Sequence, residues 1–301
     1  MPPAPAKIAL LVNPTAASGR AAKATAPVAD RLRASGAHVR VLAGADAGDA
    51  TRRACQAVEE GADALVALGG DGLVNLALQA VAGTPVPLGI VPAGSGNDIA
   101  RGLGLPLRDP LAAAGLVASG RTRAVDAVRC TYGNEARWYA GVLGAGFDSQ
   151  VNERANRMRW PRGRQRYNVA ILAELRVFKA LPFTLTLDGT TIETKAMLVA
   201  VGNATSYGGG MRVCPSASMD DGLLEVTVVG PVSTPEFIRV FPKVYRGTHV
   251  AHRAITAVRA TEVRLDSPGV VAYADGERFG DLPVTCTIMP GALAVLGAGG
   301  T

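Results

Sequence analysis

Histidine, cysteine and aromatic residues are all scarce in this chain of 301 residues, and each scarcity closes off a class of function. The four cysteines (Cys55, Cys130, Cys214, Cys286) stand far apart with no CxxC pair. That spacing excludes a disulfide framework and a zinc ribbon, and predicts buried thiols in a reducing compartment. The three histidines are His38, His249 and His252. The last two share a helical spacing, but no carboxylate joins them at metal-binding distance, so they read as a solvated pair. Phe, Trp and Tyr together make up 5% of the residues, too few to build a stacking platform for nucleobases. Long apolar runs free of punctuation are also missing. Residues 73–97 and 282–301 carry no charge, yet prolines and glycines interrupt both, which argues against a membrane-spanning helix. The apolar core of MPPAPAKIALLVN is too short for a signal peptide.

What remains is a packed globular protein: 48% of residues are apolar and only 19% are charged, in a chain long enough for two domains. The net charge of +6 suits an anionic partner, whether nucleotide phosphate, nucleic acid or an anionic membrane surface, with simple solubility as the competing explanation.

Up to about Val125 the chain alternates short apolar strands with helical stretches. Strands are predicted at residues 8–13, 37–42, 64–68 and 87–91, and helices up to Leu32, over 49–60, over 74–82 and over 98–102. Repeats of this kind predict a parallel sheet with helices on both faces, with ligands at the carboxyl ends of the strands. Beyond Val125, short β-rich segments at 138–143, 183–187, 195–201, 223–229 and 262–265 are separated by turn residues such as Asp188-Gly189 and Asp221-Gly222. They predict an antiparallel sheet or sandwich, interrupted by helical patches at 167–179 and 234–245. Residues 1–125 and 126–289 are the expected domains, with 290–301 a candidate to complete the first.

Glycine loops fall where strands end. In Gly69-Gly70-Asp71-Gly72-Leu73 the glycines permit a tight turn, and the following helix start presents N–H groups to an anion. Asp71 repels a phosphate directly. It fits if it acts through Mg²⁺ or accepts a proton or hydrogen bond at a reacting centre. A structural Asp-Gly turn is the plainer reading. Pro92-Ala93-Gly94-Ser95-Gly96-Asn97-Asp98 follows the next strand, with Asn97 a predicted N-cap. Asn13-Pro14-Thr15 and the residues up to Gly19 follow the first. None contains the GK[ST] of a Walker A loop, and no GxGxxG follows the first strand.

VNPTAASGRA, GGDGLVNLALQAV, PAGSGNDIARGLGLP, MDDGLLEV and YADGERFGDLPV occur in this order over nearly the whole chain. In this the chain resembles the bacterial diacylglycerol kinase and lipid kinase family, to which sphingosine kinases are related. The resemblance implies an α/β nucleotide domain, similar to that of NAD kinases and phosphofructokinases, joined to a β-sandwich domain with the active site between them. It implies ATP and Mg²⁺, with Asn13, Pro14 and Thr15 in a first nucleotide loop. Gly69, Gly70, Asp71, Gly72, Leu73, Val74 and Asn75 then form a phosphate loop, and Gly94, Ser95 and Asn97 add further contacts. In Ala274-Asp275-Gly276-Glu277, Glu277 resembles the family's proton acceptor and Asp275 its close partner, with Asp71 assisting. Without the family this segment reads as a plain hairpin. Asp221 with the carbonyls of Ser218 and Leu223 resembles a structural Mg²⁺ loop, with a solvated turn as the alternative.

The chain departs from the family at Leu73, where many bacterial members carry Thr, at Leu76, where they carry Glu, and at Gly44, where a threonine is expected. A third feature is basic. Arg154, Arg157, Arg159, Arg162, Arg164 and Arg166 fall within thirteen residues around Trp160. Such a cluster suits an anionic leaflet, and no nucleic-acid-binding module accompanies it. The expectation is an ATP-dependent kinase of a lipid hydroxyl, diacylglycerol first, in the cytoplasm and peripheral at the inner membrane face, with a homodimer left open. The alternatives are a silent lipid- or nucleotide-binding regulator and a kinase for a sphingoid or soluble alcohol.

Overall fold

The computed structural model describes residues 5–13, 20–147, 149–151, 154, 158, 169, 173 and 179–297. Its first lobe runs β1 (Lys7–Val12), α1 (Arg20–Arg33), β2 (His38–Ala43), α2 (Ala47–Glu59), β3 (Ala64–Gly69), α3 (Asp71–Val81), β4 (Leu88–Pro92), α4 (Asp98–Gly102) and α5 (Pro110–Ala118). The strands pair in parallel in the order β2-β1-β3-β4. β1, β3 and β4 are almost wholly apolar because both of their faces are covered. On one face Ala54 and Ala57 of α2 and Ala77 and Leu78 of α3 meet Leu11, Leu65 and Ala67. On the other, Val28 and Leu32 of α1 and Val117 of α5 meet Ile8, Leu10 and Val66. The sequence reading passed over α5. Asp109 accepts hydrogen bonds from the Leu111 and Ala112 amides, and Pro110 opens the first turn.

The second lobe contains β5 (Thr122–Tyr132), β6 (Glu135–Tyr139), β7 (Val142–Gly146), β8 (Leu181–Leu187), β9 (Thr190–Ala196), β10 (Leu198–Gly202) and β11 (Leu224–Val229). Then come α6 (Thr234–Val240), 3-10 turns at Phe241–Arg246 and Thr248–Ala251, β12 (Ile255–Ala260), β13 (Glu262–Asp266), β14 (Val271–Ala274), β15 (Glu277–Asp281) and β16 (Val284–Leu296). A six-stranded antiparallel sheet, β12-β11-β10-β7-β14-β15, packs against the antiparallel part of a ten-stranded sheet. Phe183, Leu185, Val263 and Val128 of one layer meet Leu143, Val201, Val226 and Phe279 of the other.

β16 ties the lobes together. Its first half pairs with β5 and β13, and after an irregularity between Met289 and Leu293 it runs on, with Val295 opposite Leu88 of β4. Leu293 and Val295 lie in the same apolar cluster as Leu65 and Leu78.

Two expected strands are each divided. Residues 138–143 change sheets between Tyr139 and Val142, and 195–201 change sheets at Met197. Each segment stays apolar through the corner because it passes from one layer of the sandwich into the other. Residues 234–245 are α-helical only as far as Val240, and the patch at 167–179 lies largely outside the described residues. The histidines are no solvated pair. His249 is buried with Nε2 3.2 Å from the Val213 carbonyl, and His252 sits 3.2 Å from Glu236. Cys130, Cys214 and Cys286 are buried free thiols, and Cys55 is half-buried. No helix among the described residues is long and apolar enough to cross a membrane.

Candidate active site

β3 and β4 end side by side, and their loops touch through backbone. A Cβ on Gly94 would lie 2.5 Å from the Gly70 Cα, and one on Gly70 would lie 3.1 Å from the Gly94 Cα. Close approach therefore explains these two glycines. Asn97 adopts the left-handed conformation (φ 56°) without capping α4 through its side chain, contrary to the sequence reading. Its amide instead closes the glycine loop, accepting from the Gly94 N–H at 2.9 Å and donating to the Gly94 carbonyl at 3.1 Å.

Asp71 takes over the cap: its Oδ1 accepts from the Ile99 N–H at 3.1 Å. Burial pushes its carboxyl above the usual range, the nearby Asp98 adds to that, and the amides of Ile99, Asp98 and Asn97 oppose it. Oδ2 faces Gly96, where a Cβ would come within 2.8 Å. Asp98 turns the other way, accepting from the Gly209 N–H at 2.6 Å.

The β14–β15 hairpin reaches this point from the second lobe. Asp275 (φ 53°) and Gly276 (φ 87°) form its tip, a two-residue turn that matches the strand twist. The Asp275 carboxylate is fully engaged. Oδ2 accepts from the Ala140 N–H at 3.1 Å and the Asn75 side-chain amide at 3.2 Å, and Oδ1 from the Gly141 N–H at 3.0 Å. Glu277 is half-buried, and no hydrogen bond or ion pair engages it among the described residues. Its Oε1 lies 2.7 Å from where a Cβ of Gly72 would be. A carboxylate with no partner among the described residues thus rests on the first turn of α3, whose opening N–H groups have no intrahelical acceptor. The hairpin base is held by Phe279, edge-on to Tyr139 at 6.0 Å and beneath the Arg137 guanidinium at 4.6 Å.

Burial raises the Asp275 carboxyl from 3.8 to about 6, against the pull of the Ala140 and Asn75 donors and with the Asp71 charge adding to the rise. A carboxyl raised on folding lends stability fully below its unfolded value and loses it as pH climbs through its folded one. Relative to Asp275→Asn, wild type is therefore expected to lose about 2–3 kcal/mol between about pH 4 and 7. Urea unfolding of both proteins across that range measures it, and a constant difference would contradict it.

Two residues unmarked by the sequence reading brace the corner at residues 138–141. Gln79 donates to the Trp138 carbonyl at 2.7 Å and accepts from the Trp138 N–H at 2.9 Å. Asn203 is fully buried and donates to the carbonyls of Asp126 and Ala140, both at 2.9 Å. Asp71, Asn75 and Gln79 recur every four residues, a polar stripe on an apolar helix that was available as a signal. Nothing in the local sequence singles out Asn203.

Asp71, Asn75, Gly72, Asp275 and Glu277 are thus brought together, with Gly69, Gly70, Gly94, Asn97 and exposed Ser95 around them. Asn13 directly follows β1, while Pro14 and Thr15 lie outside the described residues. Leu73 and Val74 are core residues: Leu73 packs beneath Gly69, where a Cβ would lie 2.7 Å from its Cδ2. A side chain at Gly44 would lie 2.5 Å from the Ala50 amide, so the close approach of α2 excludes a threonine there. The loop with Ser218, Asp221 and Leu223 stands apart behind α4, Met219 facing Gly102. Asp221 accepts from the Leu223 N–H at 3.1 Å and is paired with Arg259. Asp220 bonds the Ser218 hydroxyl at 2.6 Å and pairs with Arg123 at 2.5 Å. No three His, Cys, Asp or Glu side chains gather as a metal cluster among the described residues. Of the arginine run, only Arg154 is described; Arg157, Arg159, Arg162, Arg164 and Arg166, with Trp160, lie outside.

Residues 7–130 match the family model of the diacylglycerol kinase catalytic domain, and residues 141–297 that of the YegS C-terminal NAD kinase beta sandwich-like domain. A diacylglycerol kinase of Mycobacterium tuberculosis is 45% identical over 292 residues, covering 96% of this chain and 94% of the relative. One from Bacillus subtilis is 28% identical, covering 91% and 90%. A solved diacylglycerol kinase from Bacillus anthracis shares the fold at a TM-score of 0.74 and 22% identity, covering 97% of this chain and 96% of its own.

Proposed function

The chain belongs to the diacylglycerol kinase family, and from that premise we propose that it transfers the γ-phosphate of ATP to a lipid hydroxyl, diacylglycerol before other lipids. The observation that carries the reading is Glu277, unpartnered among the described residues, resting against Gly72 at the start of α3. The amides of Gly70, Gly72 and Leu73, with the loop of Gly94, Ser95 and Asn97, form the cradle for the phosphates. Asn13, Pro14 and Thr15 are the further nucleotide contacts. The lipid enters from the second lobe, and its hydroxyl gives its proton to Glu277. The oxygen then forms a bond to the γ-phosphorus as the bond to the ADP oxygen breaks. Asp275 holds Asn75, Ala140 and Gly141 in place, and so positions the hairpin rather than taking the proton.

Mg²⁺ commonly binds one or two carboxylates and completes its shell with phosphate oxygens and water. The donors here fit that pattern, because Asp71 Oδ2 faces the glycine loop at Gly96. When bound, the ion neutralises phosphate charge. The Asp221 loop fits less well, since Arg259 already neutralises its carboxylate. The proposed division of the chain is 1–125 with 290–301 as the nucleotide lobe and 126–289 as the lipid lobe, with the pairing of β16 and β4 in support. The protein acts in the cytoplasm, at the inner face of the membrane.

Labelled ATP with Mg²⁺, offered to diacylglycerol, a sphingoid base, NAD and soluble alcohols in mixed micelles, tests the reading. Label in phosphatidic acid is expected. Label only in NAD or a soluble alcohol, or in nothing, would overturn it.

A further inference from the structure

Four of the chain's fourteen aromatic side chains form a ladder that climbs from the buried Phe147 to the surface of the second lobe. Phe147 meets Phe237 at 5.3 Å between centroids, Phe237 stacks on Phe241 at 5.4 Å, and Tyr245 stands edge-on to Phe241 at 6.4 Å. The ladder runs along α6 and the following 3-10 turn, and α6 has no buried residue. Phe241 roots it on the outer face of the six-stranded sheet, against Val142, Ala200 and Val244. Ile238, 57% exposed, is the most exposed large apolar side chain among the described residues, and Tyr245 is 43% exposed. Ile238 and Tyr245 at the outer end of the ladder are exposed apolar surface of the kind that marks a contact site.

Among the described residues, the charges left unpaired on this face have one sign. Arg239, Lys243 and Arg246 are exposed, and no carboxylate pairs with them among the described residues. Glu236, the acid on α6, is already engaged by His252 at 3.2 Å and Arg253 at 3.6 Å. A second copy docked symmetrically on this face would set three cations against three. An anionic bilayer complements it: cations at the headgroups, Ile238 and Tyr245 at the acyl boundary.

The face also connects to the glycine loops. The Gly209 N–H donates to Asp98. A few residues on, the Arg212 N–H donates to the Val244 carbonyl at 3.0 Å, and the Val213 carbonyl meets His249. Residues 203–217 therefore run from the start of α4 to the underside of the aromatic turn.

We propose that α6 and its 3-10 turn are the surface by which the protein docks on an anionic lipid bilayer, presenting membrane-borne substrate to the site beside Glu277. The proposal rests on the lipid-substrate reading only for what is presented; docking itself is independent of turnover. The test uses the full chain with phosphatidylcholine vesicles, with and without phosphatidylglycerol, read by co-sedimentation. The triple variant Arg239→Gln, Lys243→Gln, Arg246→Gln is expected to bind phosphatidylglycerol vesicles about 100-fold more weakly. Ile238→Asp is expected to weaken binding to both vesicle types by about tenfold or more. Both variants should keep the wild-type circular dichroism and melting temperature. Both should also phosphorylate a short-chain diacylglycerol dissolved as monomer at the wild-type rate. Unchanged vesicle binding in the two folded variants overturns docking by this face. So does a wild-type dimer in sedimentation equilibrium that Ile238→Asp converts to monomer. If wild type binds vesicles through this face and phosphorylates no lipid, the docking stands and the functional reading falls.

Discussion

Glu277→Gln is expected to lower kcat by a factor of about 10² to 10⁴, the range a positioned general base contributes. Glutamine keeps the shape and loses the capacity to take a proton. Because the carboxylate has no partner among the described residues, the change breaks no hydrogen bond or ion pair there. Melting temperature and nucleotide affinity should therefore stay at wild-type values while turnover falls. Gly72→Ala supplies a second line. Its Cβ would stand 2.7 Å from Glu277 Oε1, so the flexible carboxylate must swing aside. A fall in kcat at little cost in stability is expected again. If Glu277→Gln turns over within a few-fold of wild type on the preferred lipid, the proton goes elsewhere and the assignment fails.

Gly94→Ala should produce the opposite pattern, with fold and nucleotide grip lost together. The new methyl would lie 2.5 Å from the Gly70 Cα and 2.7 Å from Asn97 Oδ1. Neither neighbour can yield as a side-chain tip can. One is backbone, and the other is the atom that closes the glycine loop on the Gly94 N–H. Overpacking of this kind costs about 1–3 kcal/mol, or a drop in melting temperature of several degrees. Prising the loops apart should also weaken nucleotide binding by about tenfold or more. Gly48→Ala in the first turn of α2 is the control. Its nearest neighbour would be a side-chain oxygen at 3.4 Å, so both readouts should stay close to wild type. Equal melting temperatures and nucleotide affinities for Gly94→Ala and wild type would show that the two loops are free to part.

The first lobe was legible because β1, β3 and β4 are covered on both faces and so read as unbroken apolar runs. The second lobe was less so, for the same reason turned round. At 138–143 and 195–201 the chain stays apolar while it changes layer, so pattern alone joined what the fold divides. α5 is apolar nearly all round and carries no face-to-face contrast to betray it. At the site, Asp71 and the glycines could be marked from motif and spacing, and Glu277 only from the family resemblance. The proposed partition of labour between Asp275 and Glu277 could not, because it rests on Ala140 and Gly141 at a corner that only the folded sandwich creates. The exchange of caps between Asn97 and Asp71 was hidden likewise. Asp71 reaches across to the first turn of α4, a bond set by tertiary distance and not by local preference.

β16 sets an order on synthesis. The ribosome delivers β1 to β4 first, yet Leu293, Val295 and Leu296, which finish the cores under those strands, follow the entire second lobe. Through that interval β4 presents an open edge, able to recruit a strand from any nearby nascent chain. A chaperone that shields that edge until β16 has emerged is therefore expected to raise the yield of soluble protein.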